Sequence, residues 1–106
     1  RLFILNNKQK KFLRKEAHHL NPVANIGKNG LSEEFMVQID EVLEKRELIK
    51  VHLLQNTDEE TSEAATEIAE AVDAFVVQTI GRVITLYRPS SESKYQEISA
   101  QVKALG

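Results

Sequence analysis

The sequence predicts a small α/β domain, ordered α-β-α-β-α-β-β around a four-stranded mixed sheet. Three observations carry that expectation. Apolar residues recur at helical spacing in three segments and alternate in others. The first two strand segments flank a helix, which calls for parallel pairing through a right-handed crossover. A Gly81-Arg82 step joins the last two strand segments as a tight hairpin, so the sheet cannot be all parallel. With 106 residues, 42% apolar and 28% charged, the chain suits one core and not two.

The elements follow in order. Asn7 is a fitting N-cap for a helix from Lys8 to about Leu20, where Asn21-Pro22 stops the hydrogen-bond ladder. Val23 to Ile26 is a short strand, and Gly27-Lys28-Asn29-Gly30 a tight connection. Ser32 caps a second helix, with Glu33 and Glu34 in its first turn where the dipole favours acids. Phe35, Ile39, Val42 and Leu43 keep helical spacing to about Arg46. Leu48 to Leu54 alternates: Ile49, Val51 and Leu53 point one way, Lys50 and His52 the other. Asn56-Thr57-Asp58 is a loop and cap. A third helix runs from about Glu59 to Val72, with Ala64, Ala65, Ile68, Ala69 and Val72 as its buried stripe. Its outer face holds Glu60, Glu63, Glu67 and Glu70. Phe75–Ile80 and Val83–Tyr87 are strands, and Gly81 at the first loop position fits a type II′ turn. Residues 5–89 form the expected domain. Residues 90–106 are expected to be an appendage, with Tyr95, Ile98, Val102 and Leu105 at helical spacing.

Several classes are excluded by composition. The chain has no Cys, so disulfides, thiolate metal sites and Cys nucleophiles are out. No apolar run approaches the roughly 20 residues that span a bilayer. No signal-peptide core is visible, which makes the cytoplasm the expected address. Arg1 stands where an initiator Met is usual, so a trimmed or tagged start is expected.

The net charge is -2, but its distribution is uneven. Residues 1–31 carry Arg1, Lys8, Lys10, Lys11, Arg14, Lys15 and Lys28 against the single acid Glu16. Residues 55–106 carry four basic groups against nine acids. Such a split leaves one end of the surface suited to phosphate. On a helical wheel of about 100° per residue, Lys8, Lys10, Lys11, Arg14 and Lys15 share one arc of roughly 160°, and His18 falls inside it. Leu13, Ala17 and Leu20 form the core stripe, and Phe12 and His19 lie beside the cations. Clustered cations weaken a helix slightly, and a polyanion is a reason to keep them. His18 and His19 point about 100° apart and cannot both grip one ion from the helix, so no metal site and no cofactor are expected.

The Gly27–Gly30 loop lies between a strand and a helix. Its N–H groups and the helix start can face an anion, with Lys28 as a mobile cation and Asn29 as a hydrogen-bonding group. It is not a P-loop, since the G-x-x-x-x-G-K-S/T spacing is absent. It matches the GXXG loop by which KH domains clamp a nucleic-acid backbone. An ordinary βα turn that needs two glycines is the bland alternative.

Leu5-Asn6-Asn7-Lys8-Gln9-Lys10-Lys11-Phe12-Leu13-Arg14, Ala17-His18-His19-Leu20-Asn21-Pro22-Val23 and Ile26-Gly27-Lys28-Asn29-Gly30-Leu31 together resemble the CRM domain, named for chloroplast splicing and ribosome maturation. Gln78-Thr79-Ile80-Gly81-Arg82 and Leu86-Tyr87-Arg88 resemble its closing hairpin. The resemblance implies a fold akin to the C-terminal domain of bacterial translation initiation factor three. It implies RNA binding without catalysis and, for the stand-alone bacterial form, association with rRNA in precursor large ribosomal subunits. Carried over, the GXXG loop is Gly27 to Gly30, and the basic surface is Lys8, Lys10, Lys11, Arg14, Lys15 and His18 with Lys28. Arg82 and Arg88 are weaker candidates, and the tail after Pro89 receives no role.

Two further classes compete with this one. A protein-interaction module would use the acidic third helix against ribosomal or other basic proteins. An enzyme would need a nucleophile–base–orienter set, and His18, His19, His52 and Glu16 compose none. Strands between the helices argue against a helix-turn-helix. With aromatic residues at 6%, an aromatic base-stacking sheet is not expected, and Tyr87 is assigned to the core or an edge strand. A monomer without membrane contact is expected.

Overall fold

The computed structural model describes residues 5–106. Its elements are α1 (Asn7–Ala17), β1 (Ala24–Ile26), α2 (Glu33–Arg46), β2 (Leu48–Leu53), α3 (Thr61–Val72), β3 (Phe75–Ile80), β4 (Val83–Tyr87), a 3-10 turn (Ser93–Tyr95) and α4 (Ile98–Leu105). The sheet order is β1-β2-β4-β3. β1 and β2 are parallel, whereas β4 runs antiparallel to both β2 and β3. The α/β class, the element order and the mixed four-stranded sheet are as the sequence predicts.

Helices cover both faces of the sheet. On one face Phe35, Ile39 and Leu43 of α2 and the predicted alanine-rich stripe of α3 bury Ile26, Ile49, Val51, Leu53, Ile84 and Leu86. On the other face Leu5, with Leu13 and Ala17 of α1, packs with Leu48, Val77, Tyr87 and Val102. Val102 belongs to α4, so the segment after Pro89 contributes a side chain to the second core. The Gln9 side chain also donates to the Val102 carbonyl at 3.0 Å.

A buried carboxylate ties down the same segment. Glu47 is fully buried, and its side chain accepts from the Ser90 N–H at 2.6 Å and the Ser99 N–H at 3.0 Å. Its backbone φ of 65° reverses the chain between α2 and β2. A positive φ is uncommon for a residue with a Cβ and persists where surrounding contacts over-determine it.

Element ends differ from expectation in instructive ways. The cap of α1 is Asn6 and not Asn7, because only Asn6 has a glutamine three residues on. Its side chain accepts from the Gln9 N–H at 2.9 Å, and the Gln9 side chain accepts from the Asn6 N–H at 2.8 Å. Asn7 would find Lys10, which cannot accept. α1 ends at Ala17, and His18, His19 and Leu20 close a tighter turn by bonding carbonyls three residues back. The cap of α3 is Glu60, whose carboxylate accepts from the Ser62 and Glu63 N–H groups. Thr57 is spent earlier, its hydroxyl accepting from the Glu59 N–H at 3.2 Å. Gly81 has a φ of 58° while Arg82 is not at positive φ, which fits II′ and excludes I′.

Candidate nucleic-acid interface

α1 presents the cationic arc that the wheel predicts. Leu13, Ala17 and the polar Gln9 face inward, while Lys8, Lys11, Arg14, Lys15 and His18 are exposed and Lys10 is half-buried. Among the described residues none of these side chains is held in an ion pair. Arg14 and Lys15 occupy the last turn, where the helix dipole favours cations. α4 docks on the Gln9 flank of α1, so Lys10, Arg14 and His18 occupy the flank that α4 leaves uncovered. Arg1 lies outside the described residues.

The sheet separates charge. Glu33, Glu34, Asp40, Glu41 and Glu44 lie on α2, and Glu63, Glu67 and Glu70 on α3, with Glu60 at its cap. Both helices are on the sheet face opposite α1. Glu60 is held below the usual carboxylate range, first by the Ser62 hydroxyl and then by the N–H groups it caps. Glu60 therefore keeps its charge at neutral pH.

The glycine loop follows β1 directly. The Gly30 N–H donates to the Gly27 carbonyl at 3.0 Å, and Lys28 and Asn29 stand exposed at its tip. The two glycines have unequal reasons. Gly30 has a φ of 63°, and a Cβ there would lie 2.9 Å from Glu59 Oε2. Gly27 is not at positive φ, and its Cβ would find ordinary contact at 3.6 Å with Asn56 and Leu54. Only Gly30 is demanded by the turn. Gly27 leaves bare backbone at a half-exposed position. Glu59, absent from the sequence-derived site, places a carboxylate beside the loop. No local pattern marks it, because the approach depends on the β2–α3 connection folding against the β1–α2 loop.

Arg82 braces this end of the molecule. Its guanidinium donates to the Leu53 carbonyl at 3.0 Å and the Leu54 carbonyl at 2.7 Å. Leu54 in turn lies against Gly27, so the hairpin tip is tied to the loop. Arg88 is absorbed by the scaffold. It pairs with Asp40 at 2.5 Å and Glu44 at 3.4 Å and donates to the Val72 carbonyl. Tyr87 is buried and stacks on Phe75 with ring centroids 6.1 Å apart. Burial pushes its phenol well above the ordinary range, aided by the Glu47 charge.

Lys50 and His52 are half-buried on the α1 side of β2. The described residues contain no cluster of three potential metal ligands, and none of their helices is long and apolar enough to cross a membrane.

Comparison with known proteins places this geometry in context. The model of the CRS1 / YhbY (CRM) domain matches residues 5–88. "Probable RNA-binding protein YqeI" of Bacillus subtilis is 45% identical over 95 residues, covering 90% of this chain and 99% of that protein. An "RNA-binding protein" of Haemophilus influenzae is 46% identical over 93 residues, covering 87% and 93%. The solution structure of the hypothetical protein SAV1595 from Staphylococcus aureus matches with a TM-score of 0.72 and 47% identity, over 89% of this chain and 98% of that one.

Proposed function

The chain belongs to the CRS1 / YhbY (CRM) domain family, and from that premise we propose that it is a non-catalytic RNA-binding protein. The observation that carries this reading is the exposed cationic arc of α1, held in no ion pair among the described residues, on the sheet face opposite the acidic helices. Lys8, Lys10, Lys11, Arg14, Lys15 and His18 bind phosphates together with Lys28, Asn29 and the backbone of Gly27 and Gly30. Arg82 contributes chiefly by bracing the loop. Contacts of this kind follow the shape of a folded RNA and need no base readout. The α2–α3 face repels polyanions and so orients the protein on its ligand.

The RNA is rRNA in precursor large ribosomal subunits, met in the cytoplasm by a monomer. Support for the rRNA assignment comes from the CRM resemblance. The test is binding of rRNA fragments by Lys11→Glu and Lys28→Glu. Both side chains are exposed, so folding stability stays near wild type while affinity falls. Each lost phosphate contact should flatten the log–log salt dependence by about 0.7–0.9. Wild-type affinity in both variants at moderate salt would refute the assigned face.

A second reading rests on the exposed Glu60, Glu63, Glu67 and Glu70, a surface suited to a basic ribosomal protein. Capture of such a protein that survives nuclease treatment would favour it.

A further inference from the structure

Strand register arranges the α1-side residues of the sheet in rows. Leu48, Tyr87 and Phe75 form one row, and Lys50, Thr85 and Gln78 the next. Asn25, His52, Val83 and Ile80 form the last, one residue from each strand. Cross-strand partners share a face. The first row is closed over by α1 and α4, with Leu48 and Tyr87 in the second core. The last row stays open: Asn25 is exposed, His52 and Val83 are half-buried, and Ile80 is 63% exposed. At a strand spacing of about 4.8 Å, the row runs about 14 Å across the sheet.

Its position is as telling as its exposure. At the β1 edge the chain passes from Asn25 through Ile26 into Gly27, the first residue of the glycine loop. At the β3 edge Ile80 leads directly into Gly81-Arg82. The open row therefore runs from the glycine loop to the hairpin tip. It contains no acid, and Lys50 stands in the row behind it.

We propose that Asn25, His52, Val83 and Ile80 form a platform for unpaired bases of the bound RNA. This rests on the RNA-binding reading above and adds a second kind of contact to it. The row is poorly suited to phosphates, since it lacks a fixed cation. Its groups are two branched aliphatic side chains, an imidazole and a carboxamide. The first three fit the faces of bases, and the carboxamide can meet a base edge with both donor and acceptor. RNA is favoured over an apolar protein surface because Lys50, Lys28 and the open flank of α1 complement a polyanion. Contacts of this type give the protein a preference for RNA with splayed-out bases, which phosphate tracking alone cannot provide.

The full-length chain should be tested against two probes with equal numbers of phosphates. One is an rRNA hairpin with an unpaired loop, and the other a blunt RNA duplex. The double variant His52→Ala with Ile80→Ser is expected to bind the hairpin about five- to tenfold more weakly. Its duplex affinity and salt slope should match wild type, and a thermal melt checks its fold. Equal losses on both RNAs, or no loss on the hairpin, would overturn the platform while leaving the phosphate face intact. If the wild-type chain binds neither RNA, the RNA-binding reading falls and the platform falls with it. Retained hairpin binding alongside loss of a captured protein would assign the row to a protein partner and overturn the proposal.

Discussion

Replacing Gly30 and Gly27 separately by alanine should divide the loop's structural demand from its binding role. An alanine at the Gly30 φ of 63° occupies the left-handed region, which costs about 1–2 kcal/mol for a residue with a Cβ. The new Cβ would also start 2.9 Å from Glu59 Oε2. That atom ends a flexible side chain and can swing away, so the added cost is small. For a domain of this size, about 1 kcal/mol lowers the melting temperature by roughly 4–8 °C. Gly30→Ala should therefore melt about 5–15 °C below wild type. A paired Glu59→Ala change should recover only the small contact part. Gly27→Ala meets ordinary contacts at 3.6 Å and restricts the unfolded chain, so its stability should be unchanged or higher by up to about 1 kcal/mol. If a phosphate lies against the bare Gly27 backbone, the added methyl holds it off, and RNA affinity should drop about threefold or more without loss of stability. Circular-dichroism melts and fluorescence anisotropy with an rRNA fragment measure the two effects. A Gly30→Ala protein as stable as wild type, or Gly27→Ala as the more destabilised of the pair, would refute the conformational argument.

The remaining predictions concern the scaffold. Glu47→Ala strands the Ser90 and Ser99 N–H groups, and at about 1–3 kcal/mol per unmet donor the loss should reach about 2–6 kcal/mol in urea melts. Glu47→Gly should do less harm, because glycine accepts the φ of 65° without strain; the reverse ranking would count against that account. Val102→Ala should cost about 1–3 kcal/mol by leaving a void between α1 and the sheet. A neutral result would mean that the tail does not share the core. Glu44 is held below the usual carboxylate range, first by the Ser91 hydroxyl, and its other partners include the Ser91 N–H, Ser90 and Arg88. A lowered folded-state value means that its contribution is present above the unfolded carboxylate pKa and is lost as pH falls through the folded value. Melting temperatures from neutral pH down to about pH 3 should therefore fall less steeply in Glu44→Gln than in wild type, and identical acid slopes would exclude this group.

Several features of the fold are encoded within a few residues of chain. The α3 stripe, the two hairpin strands and the Ser32 cap depend on spacing within a few residues. So does the cationic arc of α1, because a helix fixes which side chains share a face. The misplacement of the α1 cap by one residue was also locally legible, since Gln9 follows Asn6 by the three positions of a capping box. The roles of Arg82 and Arg88 were not. Each spends its guanidinium on groups far away in the chain, Arg82 on Leu53 and Leu54 and Arg88 on Asp40, Glu44 and Val72.

The sequence by itself determined the element types, the α/β class, the division of charge along the chain and the place of the glycine loop between a strand and a helix. These follow from periodicity and from the conformational limits of Gly and Pro, which act within a turn or two. Only the tertiary structure decided that α4 completes the second core, that Glu47 anchors it, that Glu59 stands beside Gly30, and that one sheet row stays open between loop and hairpin. Those features join residues tens of positions apart. Such contacts form only when the sheet register and the helix layers bring distant segments within reach, and no short-range pattern encodes that meeting.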